Sequence, residues 1–449
     1  MFILLLAATL GFQSVAQESA LVQRLEQVAT LIRENQLTEA ERQLGPIARA
    51  APGAPATMNL LGTIRAKQGR LDEAQALFLQ AIRKDEKFTA ARLNLANVYL
   101  LKHTPEKAIV QLKESLRLQP DNAEAAHELA ELLLAEGHFD ECIAFIQKQR
   151  QSRSISPELL VMLGDAYLGK GAVNEAEEPY LEALEGRLDN AGALLGLAQI
   201  SRAKGEIQEA SLYIARIASL TADSQSPEFL YKFALIAMSV GMFDPAQAAL
   251  EKTLKLRPNE PFYLLALGVV WLRRGDLFEA DKIFRRVIEL QPDNASAQLH
   301  LGYVLLNQKK YSEARRWLEK SAQSRTPIPE VFYYLGLVAQ EQNDDARAIT
   351  LFERTIQKLP EYVHARVALG SSYMKLKDYT RARQELEIAV KLDPDEPTAH
   401  YNLALLYARL KDTERAQEEM RIIEKLKAKG VAADSGVVVL PPITRPRQN

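Results

Sequence analysis

The sequence predicts an all-α chain, an α-solenoid of about twelve helical hairpins. Three observations predict it. First, a large apolar residue followed by Gly or Ala recurs every 34 residues: Leu61-Gly62, Leu95-Ala96, Leu129-Ala130, Leu163-Gly164 and Leu197-Ala198. After a two-residue insertion the series resumes at Phe233-Ala234 and continues through Leu267-Gly268, Leu301-Gly302, Leu335-Gly336, Leu369-Gly370 and Leu403-Ala404. Second, another small-residue series follows twelve positions behind: Ala74, Ala108, Cys142, Ala176, Ala210, Ala246, Ala280, Ala314, Ala348, Ala382 and Ala416, with Ala40 in an earlier, more degenerate unit. Third, Gly69, Gly137, Gly171, Gly205, Gly241 and Gly275, with Asn35 and Asn343, punctuate the units between the two series. Self-similarity at a fixed period of this length is the signature of a stacked-repeat architecture.

From the N-terminus, Ile3 to Leu10 with Phe12 forms a short apolar run followed by Ser14-Val15-Ala16. Small residues at those two positions predict a secretory signal, residues 1–16, cleaved after Ala16. Met1-Phe2-Ile3 lacks the basic residue that usually precedes such a run, so an uncleaved N-terminal segment is the alternative. The run is too short to span a bilayer comfortably, as is the apolar stretch from Phe262 to Leu272.

The repeats then run 21–54, 55–88, 89–122, 123–156, 157–190, 191–226, 227–260, 261–294, 295–328, 329–362, 363–396 and 397–430. Each reads as two helices. Apolar residues fall at helical spacing in the first, as in Leu264, Leu267, Gly268 and Trp271. Gly or Asn then supplies the left-handed conformation that ends it. An apolar residue follows (Leu37, Leu71, Phe139, Phe243), and a polar residue such as Asp72, Asp140 or Asp244 is expected to cap the second helix. Pro120, Pro258, Pro292, Pro360 and Pro394 close units where a helix must stop. The small residues let paired helices approach; a larger side chain there would overpack. Residues 431–449, with Pro441, Pro442 and Pro446 after Val437-Val438-Val439-Leu440, predict an extended or disordered tail.

On these residues the chain resembles the tetratricopeptide repeat (TPR) family, over almost its whole length. The resemblance implies a right-handed superhelix that binds proteins or peptides in a concave groove lined by the first helices. It says little about the partner, because one fold serves many.

Composition narrows the rest. Lys plus Arg total 56 against 58 Asp plus Glu, so no basic excess points to nucleic acid. A single cysteine, Cys142, forbids an internal disulfide; in the alanine register it reads as a small buried side chain. Gly164 to Lys170 matches most of a phosphate-binding loop, but Gly171 stands where Ser or Thr would hold magnesium, and the context is helical. The six histidines form no HExxH and no His-x-x-x-His pair. No catalytic, cofactor-binding or metal-ligating residue is expected, nor a small-molecule substrate.

The groove face follows by offset: six, three and two positions before the small residue and one after it share one helix face. The offsets give Asn94, Asn97, Glu124, Glu128, Glu131 and Glu158 in early repeats. In later ones they give Tyr231, Phe262, Tyr303, Tyr333, Tyr334, Tyr401 and Asn402. Asn94, Asn97, Tyr231, Phe262, Tyr303, Tyr333, Tyr401 and Asn402 are the candidate contacts, with the tyrosines as an aromatic floor. A Lys/Asn/Arg clamp for a partner's C-terminus is missing, since Glu124 and Glu128 take matching positions, and an asparagine ladder is interrupted between Asn94 and Asn402. The expected function is a non-catalytic scaffold or adaptor, exported to the periplasm or beyond in a bacterium and serving envelope assembly or secretion. The alternative is an intracellular, co-chaperone-like adaptor.

Overall fold

The computed structural model describes residues 15–51, 53–152, 155–220, 226–325 and 327–428. The expected signal run and the tail 431–449 lie outside them, except that α1 begins at Val15. The chain divides into two compact units, Met1–Leu220 and Thr221–Asn449.

Every described element is a helix. The first unit holds α1 (Val15–Arg33) with α2 (Leu37–Ala50), α3 (Pro55–Lys67) with α4 (Leu71–Lys84), α5 (Thr89–Leu101) with α6 (Pro105–Leu118), α7 (Ala123–Ala135) with α8 (Phe139–Ser152), α9 (Pro157–Lys170) with α10 (Val173–Gly186), and α11 (Ala191–Ala203) with α12 (Ile207–Ser219). The second holds α13 (Pro227–Ser239) with α14 (Phe243–Leu256), α15 (Pro261–Arg273) with α16 (Leu277–Leu290), α17 (Ala295–Asn307) with α18 (Tyr311–Ala322), α19 (Glu330–Glu341) with α20 (Asp345–Lys358), α21 (Val363–Lys375) with α22 (Tyr379–Leu392), and α23 (Pro397–Arg409) with α24 (Thr413–Ala428). Within each unit, helices pack on their hairpin partner and on the next hairpin, the α-solenoid arrangement.

Each hairpin turns on one left-handed residue. The six glycines do so at φ between 77° and 83°, and Asn35 and Asn343 at 60° and 59°. His103, Lys309, Lys377 and Lys411 complete the set, at φ 54° to 63°; their residue types gave no hint of it. The turn is closed by backbone alone: the Gly69 amide donates to the Ala66 carbonyl and the Arg70 amide to that of Arg65, at 3.0 and 2.9 Å.

The capping expectation needs correction. Asp72, Asp140 and Asp244 lie in the first turn of their helices, not at the cap. Their carboxylates accept from the hairpin that follows: Lys102 to Asp72 at 2.7 Å, Lys170 to Asp140 at 2.5 Å, and Arg274 to Asp244. The caps are Asp276, Asp344 and Asp378, one position before the helix, each accepting from a first-turn amide. First helices are capped by Asn122, Asn190, Asn294, Ser156 and Ser226.

The two small-residue series form the seam of each hairpin. Ala40, Ala74, Ala108, Ala176, Ala210, Ala246, Ala280, Ala314, Ala348 and Ala382 are fully buried, as is Cys142. Burial pushes the Cys142 thiol up to about 12, so it is inert packing. Gly164 belongs to this seam too: a Cβ there would come within 2.5 Å of the Tyr180 ring. Residues 164–170 are continuous helix in α9, with their amides spent on it, so the phosphate-loop resemblance has no structural basis.

Candidate partner-binding surface

In the first unit the accessible groove positions of α5 and α7 are polar. Asn94, on α5, is half-buried; its Nδ2 donates to Asn59 Oδ1 on α3 at 2.8 Å, with Thr63 Oγ1 at 3.4 Å. Thr63 donates in turn to the Asn59 carbonyl at 2.9 Å. Asn97, one turn on, is exposed. Asn94, Asn97 and Thr63 rim a pocket of about 230 Å³ whose apolar wall is Ala66, Phe78, Val98 and Leu101, with Lys67 at the edge. Amides set around an apolar wall can fix a peptide backbone while a side chain enters. Beyond it, Glu124 and Glu131 are exposed, and Glu128 lies between them. Burial, then the charges of Glu124 and Glu131, push the Glu128 carboxyl up.

In the second unit the aromatic floor is not a floor. Tyr231, Tyr303 and Tyr333 are only 7, 7 and 6 % exposed. Tyr231 packs edge-on to Phe262 at 5.3 Å and against Tyr263 at 5.2 Å between ring centroids. Tyr303 meets Tyr334 at 5.3 Å, and Tyr333 meets Tyr334, Tyr362 and Phe352 at 5.4, 5.3 and 5.9 Å. Burial and the neighbouring phenols hold the Tyr333, Tyr334 and Tyr362 hydroxyls protonated well above the usual range.

The reason is geometric. The four offsets cover about 100° of helix surface. Three positions before the small residue, Tyr231 packs on Phe262 and Tyr333 on Tyr362; one position after it, in the middle of the stripe, Tyr303 packs on Tyr334 of the next first helix. Large side chains there become core, and the expected wet surface shrinks to its accessible members: Phe262 and Asn402, half-buried, and Tyr401, exposed. Sequence offset brought the right helices together but overestimated the width of the open stripe. Thr63, which shares an offset with Asn97, and Phe78, a seam residue outside the four offsets, complete the pocket beside Asn94.

Among the described residues, no group of three His, Cys, Asp or Glu side chains could hold a metal ion, and no helix is long and apolar enough to cross a membrane.

Comparison with known proteins agrees with this architecture. The chain is 27 % identical over 209 residues to lipopolysaccharide assembly protein B of Escherichia coli, across 45 % of this chain and 54 % of that protein. It is 26 % identical over 249 residues to cellulose synthase operon protein C of Xanthomonas axonopodis pv. citri, across 54 % of this chain and 15 % of that protein. Thus it spans about half the length of the first relative and far less of the second. Among solved structures, one from a functional characterization of Pseudomonas aeruginosa pilF is 22 % identical, covering 45 % of this chain and 97 % of its own, with a TM-score of 0.40. Sequence models described as tetratricopeptide repeat match residues 25–87, 59–112, 161–227, 231–281, 333–386 and 367–429, and also 100–154 and 272–326. With those matches spread over most of its length, the chain belongs to the tetratricopeptide repeat family.

Proposed function

We propose that this protein is a non-catalytic scaffold that holds a protein or peptide on the open side of its first helices, and that it acts outside the cytoplasm in assembling the cell envelope. The observation that carries the binding part is the pocket of Asn94, Asn97 and Thr63 over Phe78. It combines Asn94, whose Nδ2 donates to Asn59 Oδ1, with Thr63, Asn97 and an apolar wall on adjacent hairpins. Family membership supports it, since this fold's stacked helices are a platform for partners rather than a catalytic architecture. The envelope part draws on the name of the lipopolysaccharide assembly relative and on the apolar run before Ala16. No cofactor, metal or nucleic acid enters this reading.

The test has two arms. N-terminal sequencing of the protein from its native cell should find a start at Gln17, in the extracytoplasmic fraction; a start at Met1 in the cytosol would replace export with the intracellular adaptor. Immobilised wild-type chain should retain a defined partner from envelope extract, and Asn97→Lys should lose it with an unchanged melting temperature. Retention equal to wild type would remove the pocket from the binding surface.

A further inference from the structure

The row of first-helix side chains changes chemistry in one hairpin step. Asn94 and Asn97 on α5 rim the pocket over Phe78, and the same register on α7 holds Glu128 and Glu131. Glu124 and Glu131 are exposed, Glu128 is half-buried, and Glu158 continues the run, exposed, on α9. Among the described residues Glu124, Glu128 and Glu158 have no ion-pair partner, and Glu131 has only His127, at 3.9 Å. Elsewhere on these hairpins carboxylates are matched: Lys113 pairs with Glu141, and Arg150 with Glu178 and Glu182. α7 contains no Lys or Arg, and the one in α9, Lys170, is held by Asp140.

This arrangement works against the helix that carries it. Glu124 and Glu128 stand at i, i+4 and Glu128 and Glu131 at i, i+3, spacings at which like charges destabilise a helix. Burial, then the charges of Glu124 and Glu131, push the Glu128 carboxyl up. A cation from outside relieves that repulsion, so charge complementarity chooses the occupant of the pocket next to it. The pocket wall takes an apolar side chain; the groove beyond it takes a basic one. α5 and α7 share one core, through Ala91, Leu95, Ala126 and Leu129. Packed helices lie about 8–10 Å apart and an extended chain rises about 3.3 Å per residue, so the step from pocket to carboxylates is about three residues.

We propose, resting on the pocket reading above, that the partner presents an extended segment whose apolar side chain enters the pocket over Phe78 and whose Lys or Arg, about two to four residues away, lies over Glu128 and Glu131. A random dodecapeptide library displayed on phage and selected on the immobilised full chain tests it. Enriched sequences should pair an apolar residue with Lys or Arg at that spacing. A terminally blocked, fluorescein-labelled peptide of the consensus should bind in polarisation, less tightly as salt is raised. Glu124→Lys with Glu131→Lys, both at exposed positions, should weaken it about tenfold or more, the scale of a lost charge contact, with an unchanged melting temperature. Enriched peptides without basic residues would overturn the proposal, as would equal binding to the doubly substituted chain or no enrichment over it. Peptides of that kind that are still lost on Asn97→Lys would leave the pocket as the binding site and remove only the basic partner; peptides indifferent to Asn97→Lys as well would take the pocket reading down with it.

Discussion

Phe284 lies against Gly268 so closely that a Cβ on the glycine would come within 2.5 Å of the ring. The same pairing recurs: Gly62 with Phe78, Gly164 with Tyr180 and Gly336 with Phe352. Where the small residue is Ala96, Ala130, Ala198 or Ala234, the matching second-helix position holds Leu112, Ile146, Ile214 or Leu250. Ring faces glycine, and alanine faces an aliphatic chain. Gly302 and Gly370 face Leu318 and Leu386, so glycine tolerates either, but no aromatic faces alanine. Each hairpin thus balances its own seam volume.

Gly268→Ala should therefore destabilise the second unit by about 1–3 kcal/mol through overpacking, despite alanine's better helix propensity. Adding Phe284→Leu, the pairing that Ala234 and Leu250 use, should recover much of that loss. A denaturation double-mutant cycle measures the coupling; simple additivity would show that the seam does not act as a unit.

Lys377 holds φ 63° at a turn where half the hairpins use glycine. Lys377→Gly should stabilise by about 1 kcal/mol, since only the β-carbon is penalised there, less whatever the freer unfolded chain takes back. Gly275→Lys should cost a similar amount. Urea midpoints of the two variants should move in opposite directions.

The Tyr334 and Tyr362 hydroxyls are buried with no hydrogen-bond partner in the protein. Tyr334→Phe keeps the ring contacts with Tyr303 and Tyr333 and removes an unsatisfied polar group, so stability should hold or rise by about 1–2 kcal/mol. A fall of that size would mean that the hydroxyl is satisfied in solution.

The hairpins were legible because their signals are local and repeated: a 34-residue period, a small-residue seam and glycine turns. What escaped was non-local or carried by backbone. His103, Lys309, Lys377 and Lys411 turn the chain left-handed because the hydrogen bonds on both sides demand it, and nothing in their side chains announces this. Asp72 resembled a cap, yet its partner Lys102 belongs to the next hairpin. Tyr303 and Tyr333 were placed on the correct helices, but the angular edge between groove and seam is set by how the following first helix packs, which one helix's periodicity does not contain.

His400 is 3 % exposed, with Nδ1 2.5 Å from the Glu419 carboxylate and Nε2 2.9 Å from the Pro394 carbonyl. Both neighbours only accept, so the ring in this geometry carries both protons. The Glu419 hydrogen bond, and further the Pro394 carbonyl and the charges of Glu419 and Asp395, raise its pKa above the ordinary 6.5. A raised folded value means the contact's stabilisation is complete below about pH 6.5 and is lost as pH rises through the folded pKa. His400→Gln should cost about 1.5–3 kcal/mol at pH 5.5 and much less at pH 9. Hydrogen exchange in α23 and α24 across that range reads the difference, and a pH-independent cost would rule out the charged pair. His300 provides the contrast: fully buried, one nitrogen unpartnered and its pKa pushed down to about 4, it stays neutral throughout.

The burial of Tyr303 and Tyr333 separates folding from binding more sharply than an open aromatic floor would. Tyr303 packs on Tyr334, and Tyr333 on Tyr334, Phe352 and Tyr362, and truncating a buried aromatic ring costs about 3–5 kcal/mol. Tyr303→Ala and Tyr333→Ala should each lower the melting temperature of the second unit. Partner capture should fall only where the unit has unfolded. Phe262→Ala and Asn97→Ala remove side chains that are half-buried and exposed, so each should cost well under 2 kcal/mol of stability. If the open stripe of the first helices is the binding surface, these two should weaken capture about fivefold or more, near the 1 kcal/mol that marks a contributing contact. Thermal unfolding and capture must be read on the same samples. Tyrosine variants that stay folded yet lose the partner would return the buried rings to the binding site and take it away from Phe262 and Asn97.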